Sequence, residues 1–174
     1  MNINKIAICS LFAATTAVLS QVYVPVPPIP FNIALVSVFL SGIILGPKYG
    51  VISQFIFLFM GTIGIPVFAG FNSGLGYILG PTGGYIIGYL LTAYLTPIIS
   101  SKLGSGFFKY LFSMIVGLIA CYLIGTAWFM YVTKSPLVNA LMLCVLPFII
   151  TDLLKIYICT ILVCKFNLKE KFKL

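Results

Sequence analysis

Charged side chains stand at or near the ends of the apolar stretches of this chain, and only Asp152 and Lys155 fall near the middle of one. About 20 apolar residues in a helix cross a bilayer, and helices can be shorter where the protein thins the membrane or packs them inside. The chain is 61% hydrophobic and 7% charged, with a mean hydropathy of +1.21, well beyond the balance of a soluble domain. An all-α integral membrane protein is implied, with the lipid bilayer as its solvent.

The few polar groups exclude several functions. Ten lysines, no arginine and no histidine face only Asp152 and Glu170, for a net charge of +8. Lys165, Lys169, Lys171 and Lys173 crowd the C-terminus, where they suit an anionic cytoplasmic membrane surface and not a base-reading site; no nucleic acid is expected. The five cysteines, Cys9, Cys121, Cys144, Cys159 and Cys164, lie in or beside apolar runs without a C-x-x-C pair and read as small buried hydrophobes. Without histidine or paired carboxylates the chain offers neither a catalytic triad nor a metal cage, so no enzyme, cofactor or metal is expected. No Gly-Lys dipeptide occurs, hence no phosphate-binding Walker loop, and ATP-driven work would need a separate motor.

Six transmembrane helices are read over a single domain, residues 1–174, at about 4–22, 31–45, 49–62, 84–100, 107–132 and 140–164. The first stops before Val24-Pro25-Val26-Pro27-Pro28-Ile29-Pro30, whose four prolines cannot continue a helix. The next two are short and joined by Gly46-Pro47-Lys48-Tyr49-Gly50, which predicts a tight helical hairpin. Gly61 to Gly84 is too glycine-rich for a lipid-facing helix and too apolar for a solvated loop. Irregular backbone survives at membrane depth only against protein or a wet cavity, so this stretch is a candidate wall of a binding site. Lys5, Lys48, Lys102, Lys109 and the C-terminal cluster then fall on one side and Lys134 alone on the other, which places both termini in the cytoplasm and the uncharged loops 23–31 and 62–83 outside. A cleaved signal peptide is the competing reading of residues 1–22, but it would remove a segment that the lysine pattern needs.

Asp152 and Lys155 are spaced i,i+3 and share a helix face, where pairing offsets an insertion cost of roughly 2.5–3.5 kcal/mol per charge. The pair reads as a substrate or ion site, with a structural strut as the alternative. Asn72 is the amide side chain of the glycine-rich stretch, either a ligand contact or a turn residue. Tyr85 opens the fourth helix and can stack on a ligand ring or anchor at the interface. Gly84 and Gly88 allow close helix contact, and Ala13 and Ala17 form a small-x-x-x-small pair in the first helix, facing either this chain or a partner.

These features together resemble the BioY family, the biotin-specific S components of energy-coupling-factor (ECF) vitamin importers. Four stretches carry the likeness: the proline loop Val24 to Phe31; Gly46-Pro47 with Gly50; Gly61 to Tyr85 with Gly80-Pro81-Thr82-Gly83-Gly84-Tyr85; and Pro147 to Lys155 with its D-x-x-K. The resemblance implies a six-helix bundle in a bacterial cell membrane that captures biotin from outside. It implies that Asp152, Lys155 and Asn72 hold biotin's polar groups, and that Ala13 and Ala17 form the docking face for a transmembrane scaffold subunit served by two cytoplasmic ATPases. The chain departs from the family at Asn32-Ile33-Ala34, where Thr-Leu-Gln is common, and in having no arginine for the carboxylate. An S component for another vitamin and a structural membrane protein without transport are the alternatives.

Overall fold

The structure, a computed structural model, describes residues 3–168; Lys169, Lys171 and Lys173 of the basic C-terminal cluster lie outside them. The fold is mostly helical. α1 (Ile3–Gln21) leads into a two-stranded antiparallel ribbon, β1 (Tyr23–Val24) with β2 (Phe31–Asn32), then α2 (Ala34–Thr62). The purely helical expectation is thus corrected at the proline loop. Val24 pairs with Phe31, so residues 25–30 are held as a closed loop over the bundle rather than as a free linker.

The long helix α2 is not straight. Gly46 has φ 77° and ψ 177°, outside the helical region, and Pro47 follows it. The chain reverses there, because Gln54 donates to the Ser41 hydroxyl at 3.0 Å although the two lie 13 residues apart. A straight helix would separate them by about 20 Å. The two halves close on glycine: a methyl placed on Gly50 would sit 3.0 Å from Gly42 Cα and 3.3 Å from the carbonyl oxygen of Ala93, so this hairpin and a third helix meet backbone to backbone.

Beyond the hairpin, a short 3-10 turn (Ala69–Phe71) and α3 (Leu75–Leu79) fold the glycine-rich stretch back onto the protein. Phe68 is buried, stacked on Tyr77 with ring centroids 5.3 Å apart and set edge-on to Phe57 at 5.6 Å. Helix α1 fastens this stretch from the side: Gln21 donates to the Phe68 carbonyl at 3.0 Å and accepts from the Phe71 N–H at 3.0 Å, while the Ser20 hydroxyl donates to the Val67 carbonyl.

Three long helices complete the bundle: α4 (Gly83–Leu103), α5 (Phe107–Thr133) and α7 (Leu146–Lys165), the last preceded by α6 (Leu137–Cys144). The single helix expected at 140–164 is interrupted at Val145, whose φ of −122° and ψ of −58° break the path. Pro147 explains the position: it lacks an N–H and favours the first turn of a new helix, so α7 starts around it. α4 and α5 approach closely, with Gly84 against Trp128 and Gly88 against Cys121. Helices α4, α5 and α7 are each long and apolar enough to cross a membrane, and α2 reaches that length only with its two halves taken together. Their outer faces carry side chains such as Phe108, Leu123 and Ile150, suited to lipid.

A buried polar cluster lies between α1 and the hairpin. Gln54, 1% exposed, directs its amide nitrogen at the hydroxyls of Thr16, Ser41 and Ser53, and Thr16 also bonds Ser37 at 2.9 Å. In hydrocarbon such bonds are the available glue between helices, and these tie α1 to both halves of α2.

Candidate functional site

A half-open cavity of about 70 Å³ lies among α2, α4, α5 and α7 below the ribbon. Its walls are mainly aromatic and aliphatic, including Phe57, Phe68, Tyr77, Tyr85 and Phe148, and one region of the wall is polar.

That polar region is built around Asp152 and Lys155, 3% and 6% exposed. One turn of α7 separates them, and the Lys155 ammonium donates to Asp152 Oδ1 at 2.6 Å. It donates also to the Asn32 carbonyl at 2.5 Å and stands 4.2 Å from the centroid of the Phe31 ring. The second carboxylate oxygen, Oδ2, accepts from the Tyr122 hydroxyl of α5 at 2.6 Å. A lone charge in such a site would cost several kcal/mol, and the ion pair with its neighbouring donors and acceptors makes both charges tolerable. The ribbon acquires a reason here: the pairing of β2 with β1 presents the Asn32 carbonyl and the Phe31 ring to Lys155.

The structure brings Tyr85, Asp152 and Lys155 to one cavity. Tyr85 fits against α5 because position 125 is glycine, where a methyl would lie 2.2 Å from the Tyr85 ring, and its hydroxyl pairs with Thr126 at 3.1 Å. Asn72 does not line this cavity. It is exposed, its amide donates to the Ala69 carbonyl at 2.7 Å, and it borders a second, more open groove between the proline loop and α3. The groove and the cavity share Pro30, Ala69, Tyr77 and Thr82 and so lie side by side. Ala13 is 1% exposed and part of the core, and Ala17 packs beside that core. The face of α1 left uncovered is Ile6, Ala7, Ser10, Leu11, Ala14 and Val18.

Tyr122, Tyr89 and Asn32 were not singled out by sequence reasoning as site residues. Tyr89 had a signal, since it follows Tyr85 by one helical turn and therefore shares its face. Tyr122 had none. Replacing it with Phe removes a hydrogen bond to a charged partner while keeping the ring, and is expected to weaken ligand binding by about 1.5 kcal/mol, roughly tenfold, in calorimetric titration.

The model of the BioY family matches residues 1–171. A probable biotin transporter BioY of Pyrococcus horikoshii is 40% identical over 89% of this chain and 91% of its own length. The biotin transporter BioY of Thermotoga maritima is 32% identical, covering 87% of this chain and 89% of that one. A crystal structure of the S-component for biotin from an ECF-type ABC transporter superposes with a TM-score of 0.88 at 29% identity, covering 96% of this chain and 94% of that one.

Proposed function

Because the chain belongs to the BioY family, we propose that it is the substrate-capturing S component of an ECF-type importer, a multi-pass protein of the cell membrane that binds biotin from outside. The observation that carries the reading is the polar region of an otherwise apolar cavity. Biotin's ureido ring offers two N–H donors and one carbonyl acceptor, while its thiophane ring and valeryl chain are apolar. Asp152 can accept from the ureido N–H groups and the Lys155 ammonium or Tyr122 hydroxyl can donate to its carbonyl, with Tyr85 and the aromatic walls around the apolar rings. Asn72 takes part at the mouth, from the outer groove.

The six-span topology with cytoplasmic termini goes with this role, counting α1, the two halves of α2, α4, α5, and α6 with α7. Two points support it: Lys5 and Lys48 both lie over the ring of Tyr49, which places the start of α1 and the hairpin tip at one end, and Lys102 and Lys109 flank a single turn. The chain is not an enzyme and takes no cofactor; biotin is its cargo. A transmembrane scaffold subunit and two cytoplasmic ATPases supply the movement and the energy. Docking uses α1 near Ala13 and Ala17, with Ala13 setting the close approach of α1 to its own bundle and the exposed small residues beside it meeting the scaffold.

The test is calorimetric titration of the purified protein in detergent with biotin, repeated on Asp152→Asn. One-to-one binding that falls by about 2 kcal/mol in the variant is expected, the loss of a charge-assisted hydrogen bond. A folded, monodisperse sample that ignores biotin would refute the assignment.

A further inference from the structure

We propose that this site reads the ureido ring of its ligand by charge but leaves the carboxyl end unread, so that neutral biotin carboxamides, including N-alkylated ones, are accepted nearly as well as biotin itself. The inference rests on the biotin reading above and narrows its substrate class.

The argument starts from the count of cations. Among the described residues that line the cavity or the outer groove, Lys155 alone is cationic. An ammonium has three donors. Two of those of Lys155 meet Asp152 Oδ1 at 2.6 Å and the Asn32 carbonyl at 2.5 Å, and the group lies 4.2 Å from the Phe31 ring centroid. Its charge is matched by the adjacent carboxylate, so no net positive charge remains in the site to attract an anion.

The direction of the ligand follows. A ureido ring complements the carboxylate, ammonium and tyrosine hydroxyl around Asp152, whereas a ligand carboxylate placed there would face Asp152 as a like charge. The ring therefore lies innermost and the valeryl chain runs outward past Pro30, Ala69, Tyr77 and Thr82, the residues that cavity and groove share. The carboxyl end then arrives in the groove between the proline loop and α3. Its nearby polar side chains are Tyr23, Asn72, Tyr77 and Thr82, all neutral, and they serve an amide as well as a carboxylate. Space is available there too, since a methyl on Gly76, at the groove's edge, would touch nothing within 4 Å.

Titration of the purified chain with biotin, biotin primary amide and biotinyl-lysine, run side by side in the same detergent, decides the matter. The expected result is that both amides bind within tenfold of biotin. A loss greater than tenfold for the primary amide would overturn the proposal, because it would mean that a charge-assisted contact reads the carboxylate. A loss confined to biotinyl-lysine would overturn its N-alkyl part, showing the groove closed to a longer tail. If biotin itself fails to bind, the underlying assignment falls, and this outcome is distinct from selective loss of the amides.

Discussion

Lys155→Met is expected to abolish measurable biotin binding and to destabilise the protein by about 3–5 kcal/mol, the usual cost of leaving a buried charge without its partner. The reason lies in what Lys155 holds. Its removal exposes Asp152 Oδ1 to an apolar wall, frees the Asn32 carbonyl that ties the ribbon to α7, and leaves Tyr122 as the carboxylate's remaining partner. The companion variant, Asp152→Asn with Lys155→Met, removes both charges at similar volume and is expected to recover most of the thermal stability, as replacement of a buried ion pair by neutral groups often does. Biotin binding should stay lost in the double variant. Recovery of binding together with stability would reduce the pair to a strut and return the site to the aromatic wall.

Gly83→Ala is expected to be the most damaging single-methyl change in the chain. Its added methyl would fall 1.6 Å from the carbonyl oxygen of Ile78 and 2.5 Å from the carbonyl carbon. Main chain cannot swing aside as a rotamer can, so either α3 lifts or the first turn of α4 shifts. Overpacking costs typically 1–3 kcal/mol, and a backbone collision belongs at about 3 kcal/mol. Gly80 and Thr82 shape the groove and Tyr85 the cavity, so the displacement reaches the ligand as well. A lower melting temperature in detergent and at least a hundredfold weaker binding are the expected readings, because the collision moves two walls of the site at once. A variant that melts and binds like the parent would show that α3 yields freely.

The parts of this fold that were legible in the sequence are those where chemistry leaves one choice. Gly46-Pro47 between two short apolar runs forces a reversal, and an uncharged glycine-rich stretch in an apolar chain must lie against protein. Asp152 and Lys155 stood out because charge at mid-membrane demands a partner. Tyr122 was silent for the opposite reason. A tyrosine in an apolar helix looks the same whether it points outward, as Tyr131 does at 70% exposure, or to a carboxylate, as Tyr122 does. Asn72 shows the limit of reading a residue's chemistry without its position: it can hold a ligand or shape a turn, and its amide is engaged by the Ala69 carbonyl of its own turn. Ala13 shows the same for packing, because small residues permit close approach without naming which helix approaches, and here α1's own bundle covers it. The break at Val145 hid behind an apolar run whose proline was its sole clue.

The grip of α1 on the glycine-rich stretch gives the molecule a lever. Ser20 and Gln21, at the last turn of α1, hold the backbone of Val67, Phe68 and Phe71 through three hydrogen bonds, and Phe68 and Ala69 form part of the cavity wall. Gln54 and Thr16 fix the middle of the same helix to the hairpin. Any tilt of α1 is therefore felt at that wall through these hydrogen bonds. The outer helix and the wall of the cavity are thus joined through main-chain carbonyls and an N–H rather than through side-chain packing alone.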